Sequence, residues 1–437
     1  MPIRDLVVVA IVIALAILAI RRPWIGLMNW TWLSIMNPHR YSWGFAYSAP
    51  LAAIAAASTL IGVMLTKDRQ SPFQGAPTVW LFLFTIWMTI SWLLGYDPID
   101  DHEYWDRVIK IYLMTFIAVS LLLTKHQMMA FTWVTIGSLA LLAAKGGVFT
   151  IITGGAHRVW GPPRSFIADN NHFALAVIVA LPMLYFLQLQ LERGWRRHVV
   201  TAVMLLSVIT ALGSYSRGAL IALAAMGVTL WWRSSSKGLI GAVVLLIVLG
   251  MLPMMPDEWW ARMQTIQDFS QDDSAMGRIN AWLVAIEVAK DNFFGGGMSY
   301  QYDFYFTIYG VYETKVRAAH SIYFQILGNH GFVGLFLYLM IWLSTFRSAG
   351  RLRKQAHLHR ETEWTGQLGS MVQVSLVGFA VGGAFLSMSY FDLPYNLMVL
   401  VVVASKWVER RAWETEPQIP FLEYAGFRKI KSAKMLR

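Results

Sequence analysis

The chain has 437 residues, of which 57% are hydrophobic and only 14% are charged. Soluble globular proteins carry about 25% charged residues, so the composition excludes a disordered chain, a coiled coil and a conventional soluble enzyme. The absence of Cys excludes disulfides, thiolate metal sites and Cys nucleophiles. The formal charge of +11 is first a topology signal, because Lys and Arg collect in cytoplasmic loops, and no nucleic-acid partner is expected from it.

A spanning helix needs roughly 20 apolar residues. In chain order such runs lie near 5–20, 47–66, 78–95, 108–124, 128–150, 172–191, 199–213, 218–232, 238–254, 321–345, 368–388 and 393–408. They predict an all-α polytopic membrane protein with about 12 transmembrane helices. Arg21 and Arg22 follow the first run directly with no clear small-residue cleavage site, so it reads as a retained span rather than a signal peptide. The stretch 24–36 is shorter and rich in Trp and Asn, and it reads as an interfacial segment rather than a further span.

Lys and Arg divide unevenly between alternate loops. Lys67, Arg69, Lys125, Arg193, Arg196, Arg197, Arg233, Lys237, the Arg347–Arg360 cluster and the C-terminal tail fall on one side. Loops 96–107, 151–171, 214–217 and 255–320 fall on the other, with fewer than half as many cations. The positive-inside rule then puts the tail in the cytoplasm and 255–320 outside. The chain reads as a single membrane domain over 1–437, with 255–320 as a large helical loop and 409–437 as a basic cytoplasmic tail suited to anionic membrane lipid. Within the loop, Pro256-Asp257-Glu258 opens an amphipathic helix carrying Trp259, Trp260 and Met263. A second helix is expected from Ser274 to about Asn292, stopped by Gly295-Gly296-Gly297.

Charges are scarce, so those at the outer ends of spans are informative. Arg217 interrupts two apolar runs within Gly213-Ser214-Tyr215-Ser216-Arg217-Gly218, either as an interfacial arginine or as a ligand-binding one that small neighbours leave accessible. Arg278 lies near the start of the second loop helix, where backbone amides favour an anion; its alternative is a solvated helix face. Arg158 and Arg164 occupy a third outer segment that leads through Asp169-Asn170-Asn171-His172 into a span. His320 closes the loop three residues after Arg317, at the start of a helix. Both surroundings disfavour an imidazolium and keep the ring neutral, as a general base requires; a capping His without chemistry is the alternative. His330, further along that helix, reads as a buried hydrogen-bonded His. The acidic loop Asp97–Glu103 reads as solvated. Several Arg residues and one base beside lipid suit a lipid-linked phosphate or pyrophosphate, which Arg grips in bidentate fashion.

At these residues the chain resembles the O-antigen ligase and O-antigen polymerase superfamily. Ser216-Arg217-Gly218 resembles that family's Ser-Arg-Gly at the start of a span. Gly277-Arg278 with Trp282, followed by Gly295-Gly296-Gly297, is similar to its Gly-Arg…Trp…Gly-x-Gly stretch. His320-Ser321-Ile322-Tyr323-Phe324 with Gly331 and Gly334 is similar to its His-Asn/Ser-x-x-Leu…Gly…Gly segment, and Gly161–Ala174 to a weaker upstream one. Ser321, Phe324 and Asn329-His330 depart from the commonest family residues. The resemblance implies a fold related to the membrane-embedded, GT-C-like glycosyltransferases. It implies inverting, metal- and cofactor-independent transfer of a glycan from undecaprenyl pyrophosphate to lipid A–core oligosaccharide, at the periplasmic face of a bacterial inner membrane. In that expectation His320, Arg217 and Arg278 are catalytic, and Arg158, Arg164, Arg317, Asn170 and Tyr323 bind substrate. Repeat-unit polymerase and protein glycan transferase are the alternatives within the superfamily. A lipid-linked glycan transporter is the non-enzyme alternative, disfavoured because two related halves are not visible.

Overall fold

The computed structural model describes residues 3–233, 238, 273–312 and 316–416. The expected span 238–254, the amphipathic segment at 256–263 and most of the basic tail lie outside the described residues. Every regular element among the described residues is helical. In chain order the helices are α1 (Ile3–Arg21), α2 (Pro23–Ile35), α3 (Leu51–Leu65), α4 (Ala76–Leu93), α5 (His102–Leu121), α6 (Lys125–Ile152) and α7 (Asn170–Leu189). There follow α8 (Trp195–Gly213), α9 (Arg217–Arg233), α10 (Asp273–Asp291), α11 (Asp303–Tyr309), α12 (Ile322–Gln355), α13 (Glu363–Gly383) and α14 (Asp392–Glu409).

Six of these, α1, α4, α6, α7, α8 and α12, are long and apolar enough to cross a membrane. Burial sorts them by position. Residues 173–184 of α7 are buried on every face, which marks it as a central helix. By contrast α1 shows Leu6, Val7, Ile11 and Ile17 at the surface, and α4 shows Phe82, Leu83 and Ile86. So broad an apolar surface is stable only against hydrocarbon or another protein.

Residues 24–36, expected at the interface, instead form α2 inside the bundle, packed on α1 and α3. Pro23 at its first turn lets the chain reverse directly after α1. Buried Asn29 donates from Nδ2 to the Val12 carbonyl of α1. A polar side chain at that depth needs such a partner.

The connections gather at two ends of the bundle. At one end, the Tyr96 amide donates to Gly296, the Val159 amide to Gly213, and Tyr215 Oη to the Gly155 carbonyl at 2.5 Å. At the other end Gln70 meets Ser120, Gln190 meets Gln367 and the Lys125 amide meets Glu416. The four loops with few cations therefore share the first end, to the extent that they are described.

Helices α10 and α11 cap that end on a small core of their own, built from Ala281, Val284, Val288, Tyr300, Tyr305, Phe306 and Ala319. The cap is joined to the bundle at a break in α12. Gly331 has φ +67° and ψ −172°, so the helix is interrupted there. The break releases backbone carbonyls, and neighbours claim them: the Gly296 amide donates to Gly328 and the Gly297 amide to Asn329. Ser91 Oγ also donates to Asn329, and Trp87 Nε1 donates to the His330 carbonyl at 2.8 Å. His330 itself is fully buried, with Nδ1 2.9 Å from Ser91 Oγ and Nε2 2.6 Å from Tyr390 Oη. This agrees with the structural role expected for it.

Asp101 departs from its expectation. It is buried and accepts from the amides of Met298 and Ser299 and from Tyr302 Oη. It thus anchors the cap rather than facing solvent. Burial pushes its carboxyl above the usual range despite those three donors.

Candidate functional site

The site is built where the cap meets the ends of α7 and α12. Residue by residue it begins with Asp169, whose side chain accepts from the Asn171 and His172 amides and caps α7. Burial alone would raise that carboxyl, but the Asn171 amide and the nearby His172 bring it below its ordinary value. The cap sets the direction in which α7 starts. It places buried Asn170 so that Nδ2 donates to the Ser214 carbonyl at 2.6 Å, tying the start of α7 to the hairpin that carries Arg217.

In that hairpin the Ser214 and Ser216 side chains turn inward, and Ser216 Oγ accepts from the Ala219 amide at the start of α9. Tyr215 stands at φ +60°. Arg217 follows as the first residue of α9, half-buried rather than extended into solvent.

From the cap, α10 brings Gly277, Arg278 and Trp282. Trp282 Nε1 donates to the Ala319 carbonyl at 2.6 Å, and its ring stacks on Phe324 at 4.9 Å between centroids. Both contacts flank His320. Gly277 is required by a close approach: a Cβ there would stand 2.5 Å from Arg317 Cδ. The Arg317 side chain passes over that glycine, and Arg317 and Arg278 both lie near enough to His320 to act on its charge.

His320 sits just before the capping residue Ser321 of α12, at φ +44°. A non-glycine residue held in the left-handed region stores strain, and such residues cluster at functional sites. Its Nδ1 is buried and makes no hydrogen bond. The same is true of the neighbouring Ser321 Oγ and of His172 Nε2. Buried polar atoms without partners are rare in folded proteins, and three together mark a place where a ligand is expected. Burial first, and the Arg278 cation second, lower the His320 pKa to about 4; His172 and Arg317 push the same way and Asp169 opposes them.

The structure therefore brings His320, Arg278, Arg317, Asp169 and His172 together. Arg217 is connected to them through the Asn170–Ser214 bond. Arg158 and Arg164 lie on an exposed flank, each over an aromatic ring, Tyr215 at 5.8 Å and Tyr47 at 5.4 Å. Tyr323 spends its hydroxyl on the Ala380 carbonyl of α13 at 2.8 Å, and Asn170 spends its amide on Ser214. Both brace the site's walls. His172 was not singled out from the sequence; the signal available was its position on the first turn of a helix capped by Asp169.

Fold and site together define a class: a helical membrane protein whose Arg, His and Asp machinery is concentrated where a small cap closes one end of the bundle. Residues 202–339 match the family model described as O-Antigen ligase, and residues 3–191 match one described as Family of unknown function (DUF5935). No curated protein matches the chain. The likeness to the O-antigen ligase family runs from within α8 to within α12, about a third of the chain. The first match contains Arg217, Arg278, Arg317 and His320, and the second contains Asp169, Asn170 and His172. Both matched regions contribute to one site.

Proposed function

We propose that the protein is an O-antigen ligase, moving a finished glycan from undecaprenyl pyrophosphate to lipid A–core oligosaccharide at the periplasmic face of a bacterial inner membrane. The observation that carries this reading is the buried, unpartnered Nδ1 of a neutral, half-buried His320 set beside two arginines. His320 takes the proton from the acceptor sugar hydroxyl. The acceptor oxygen attacks the donor's anomeric carbon from the face opposite the leaving group, so the configuration inverts. The bond from that carbon to the pyrophosphate oxygen breaks, and undecaprenyl pyrophosphate leaves with its electrons. Arg278 and Arg217 hold the pyrophosphate as its charge grows, with Arg317 behind Arg278. Arg158 and Arg164 guide charged groups along the flank, while Asn170 and Tyr323 hold the site's walls. In this reading cations of the chain supply the charge, and no metal or cofactor takes part.

The lipid-facing surface and the site at one end suit two lipid-borne substrates meeting at an interface. Purified full-length protein, given a lipid-pyrophosphate-linked glycan, tests the reading when lipid A–core, repeat-unit acceptor and acceptor protein are offered separately. Transfer to lipid A–core, lost in His320→Ala, Arg217→Ala and Arg278→Ala, is expected. Transfer only to repeat units or only to protein replaces the ligase with a polymerase or a protein glycan transferase. Full activity in all three variants removes the mechanism.

A further inference from the structure

Away from this site, a small cavity lies between α2, α5 and α14, lined by Trp30, Thr31, Ser34, Thr115, Asp392 and Asn396 together with apolar side chains. About 10 Å³ of it is open to the centre of a water-sized sphere, room for one water or one small ion. Asp392 is 6% exposed and its Oδ1 has no hydrogen-bond partner. An ionisable group inside a membrane bundle is expensive and is by default functional.

The other polar groups explain what the carboxylate lacks. Thr31 Oγ1 gives its proton to the Leu27 carbonyl at 2.9 Å, and Thr115 Oγ1 gives its own to Ile111 at 2.8 Å. Each hydroxyl has therefore spent its donor on its own helix and offers only lone pairs. Ser34 Oγ donates to the Thr31 carbonyl at 3.3 Å, so its proton too stays on its own helix. Among the described residues no Lys, Arg or His lines the cavity. A ring of oxygen acceptors with one negative charge calls for a hard, singly charged cation. A divalent ion would leave a net positive charge buried, and a single water would leave the carboxylate unbalanced.

We propose that the Asp392 cavity is a binding site for one small monovalent cation, Na⁺, held by the Asp392 carboxylate, the Asn396 carbonyl and the Thr31, Ser34 and Thr115 hydroxyls. The ion clamps α2 and α5, from the first third of the chain, onto α14 near its end.

The test is thermal unfolding of the full-length protein in detergent or nanodiscs, titrated with NaCl, KCl or choline chloride at constant ionic strength. Tm is expected to rise saturably with Na⁺ by about 3 °C or more, and not with choline. K⁺, the larger ion, acts only at much higher concentration. Asp392→Asn removes the Na⁺-dependent rise. Should that variant fail to fold, Thr115→Val keeps the carboxylate, deletes one oxygen and moves the half-saturating Na⁺ concentration up about tenfold. Equal Tm in NaCl and choline chloride for the native protein, or an unchanged Na⁺ response in Asp392→Asn or Thr115→Val, overturns the proposal.

Discussion

Trp282 donates its indole N–H to the carbonyl of Ala319, the residue immediately before His320. The bond crosses from α10 to the strained turn ahead of α12, so the cap sets the position of the proposed base. Trp282→Phe keeps the stacking surface toward Phe324 and deletes only the donor. It is expected to lower kcat by about tenfold to a hundredfold with little change in KM, because small displacements of a catalytic group are costly. Stability should fall by about 1–2 kcal/mol. Single-turnover transfer measured beside a thermal melt checks both; an unchanged kcat would separate the cap from the chemistry.

His320 sets the acid behaviour. Its pKa of about 4 lies below the ordinary 6.5, so the ring stays neutral down to about pH 4 in the protein without substrate. The acid limb of kcat/KM should fall there, and Arg278→Ala should move it upward by removing the second-largest cause of the depression. A base this weak is poorly matched to neutral pH. Pyrophosphate bound at Arg278 offsets that cation, so the acid limb of kcat should lie above that of kcat/KM. The linkage sign follows: between pH 6.5 and 4 the unfolded chain binds a proton that the folded one refuses. Stability therefore falls as pH drops through that window. Paired pH–rate profiles and pH-dependent melts, with His320→Ala as reference, give the measurement.

Gly277→Ala tests the approach of Arg317. The added Cβ would meet Arg317 Cδ at 2.5 Å, and the flexible arginine is the part that yields. The expected result is a several-fold rise in donor KM, with stability changed by less than about 1 kcal/mol. Steady-state titration of the donor checks it, and a large loss of Tm would instead show Gly277 to be a packing residue.

Gly331→Ala tests the helix break. Its φ of +67° disfavours any side chain, and a Cβ would stand 2.6 Å from the Phe293 carbonyl. A loss of about 2 kcal/mol or more is expected. Hydrogen exchange should quicken first around residues 295–302, which lean on the broken segment. Uniform destabilisation without that local signature would contradict the assignment.

Much of the bundle was legible from apolar run length alone. The runs near 128–150, 172–191 and 393–408 appear as α6, α7 and α14 with ends displaced by a few residues. The helix predicted from Ser274 appears as α10. Residues 24–36 misled because Asn29 and the tryptophans suggested an interface, whereas Asn29 finds its partner on the neighbouring helix α1, at Val12. Asp101 misled for a related reason. Its loop neighbour Asp100 does face outward and Asp97 accepts only from amides of its own loop, and nothing local marks the one carboxylate that meets amides almost two hundred residues away. The convergence of His320 with Arg278 and Arg317 was approachable from motif order. The part played by Asp169 and His172 was not, because it depends on where α7 ends up against α12.

The break in α12 also bears on the order of assembly. The Gly296 and Gly297 amides leave the ribosome some thirty residues ahead of the carbonyls that receive them, and Ser91 and Trp87 wait far longer for theirs. Every arginine of the site is already made when residue 320 emerges, yet the cap has nothing to close upon until the segment around Gly331 is inserted beside α4. A nascent chain halted before that point would carry every arginine of the proposed site and no closed cap. Loss of activity in such truncations would date the birth of the site to a late insertion event.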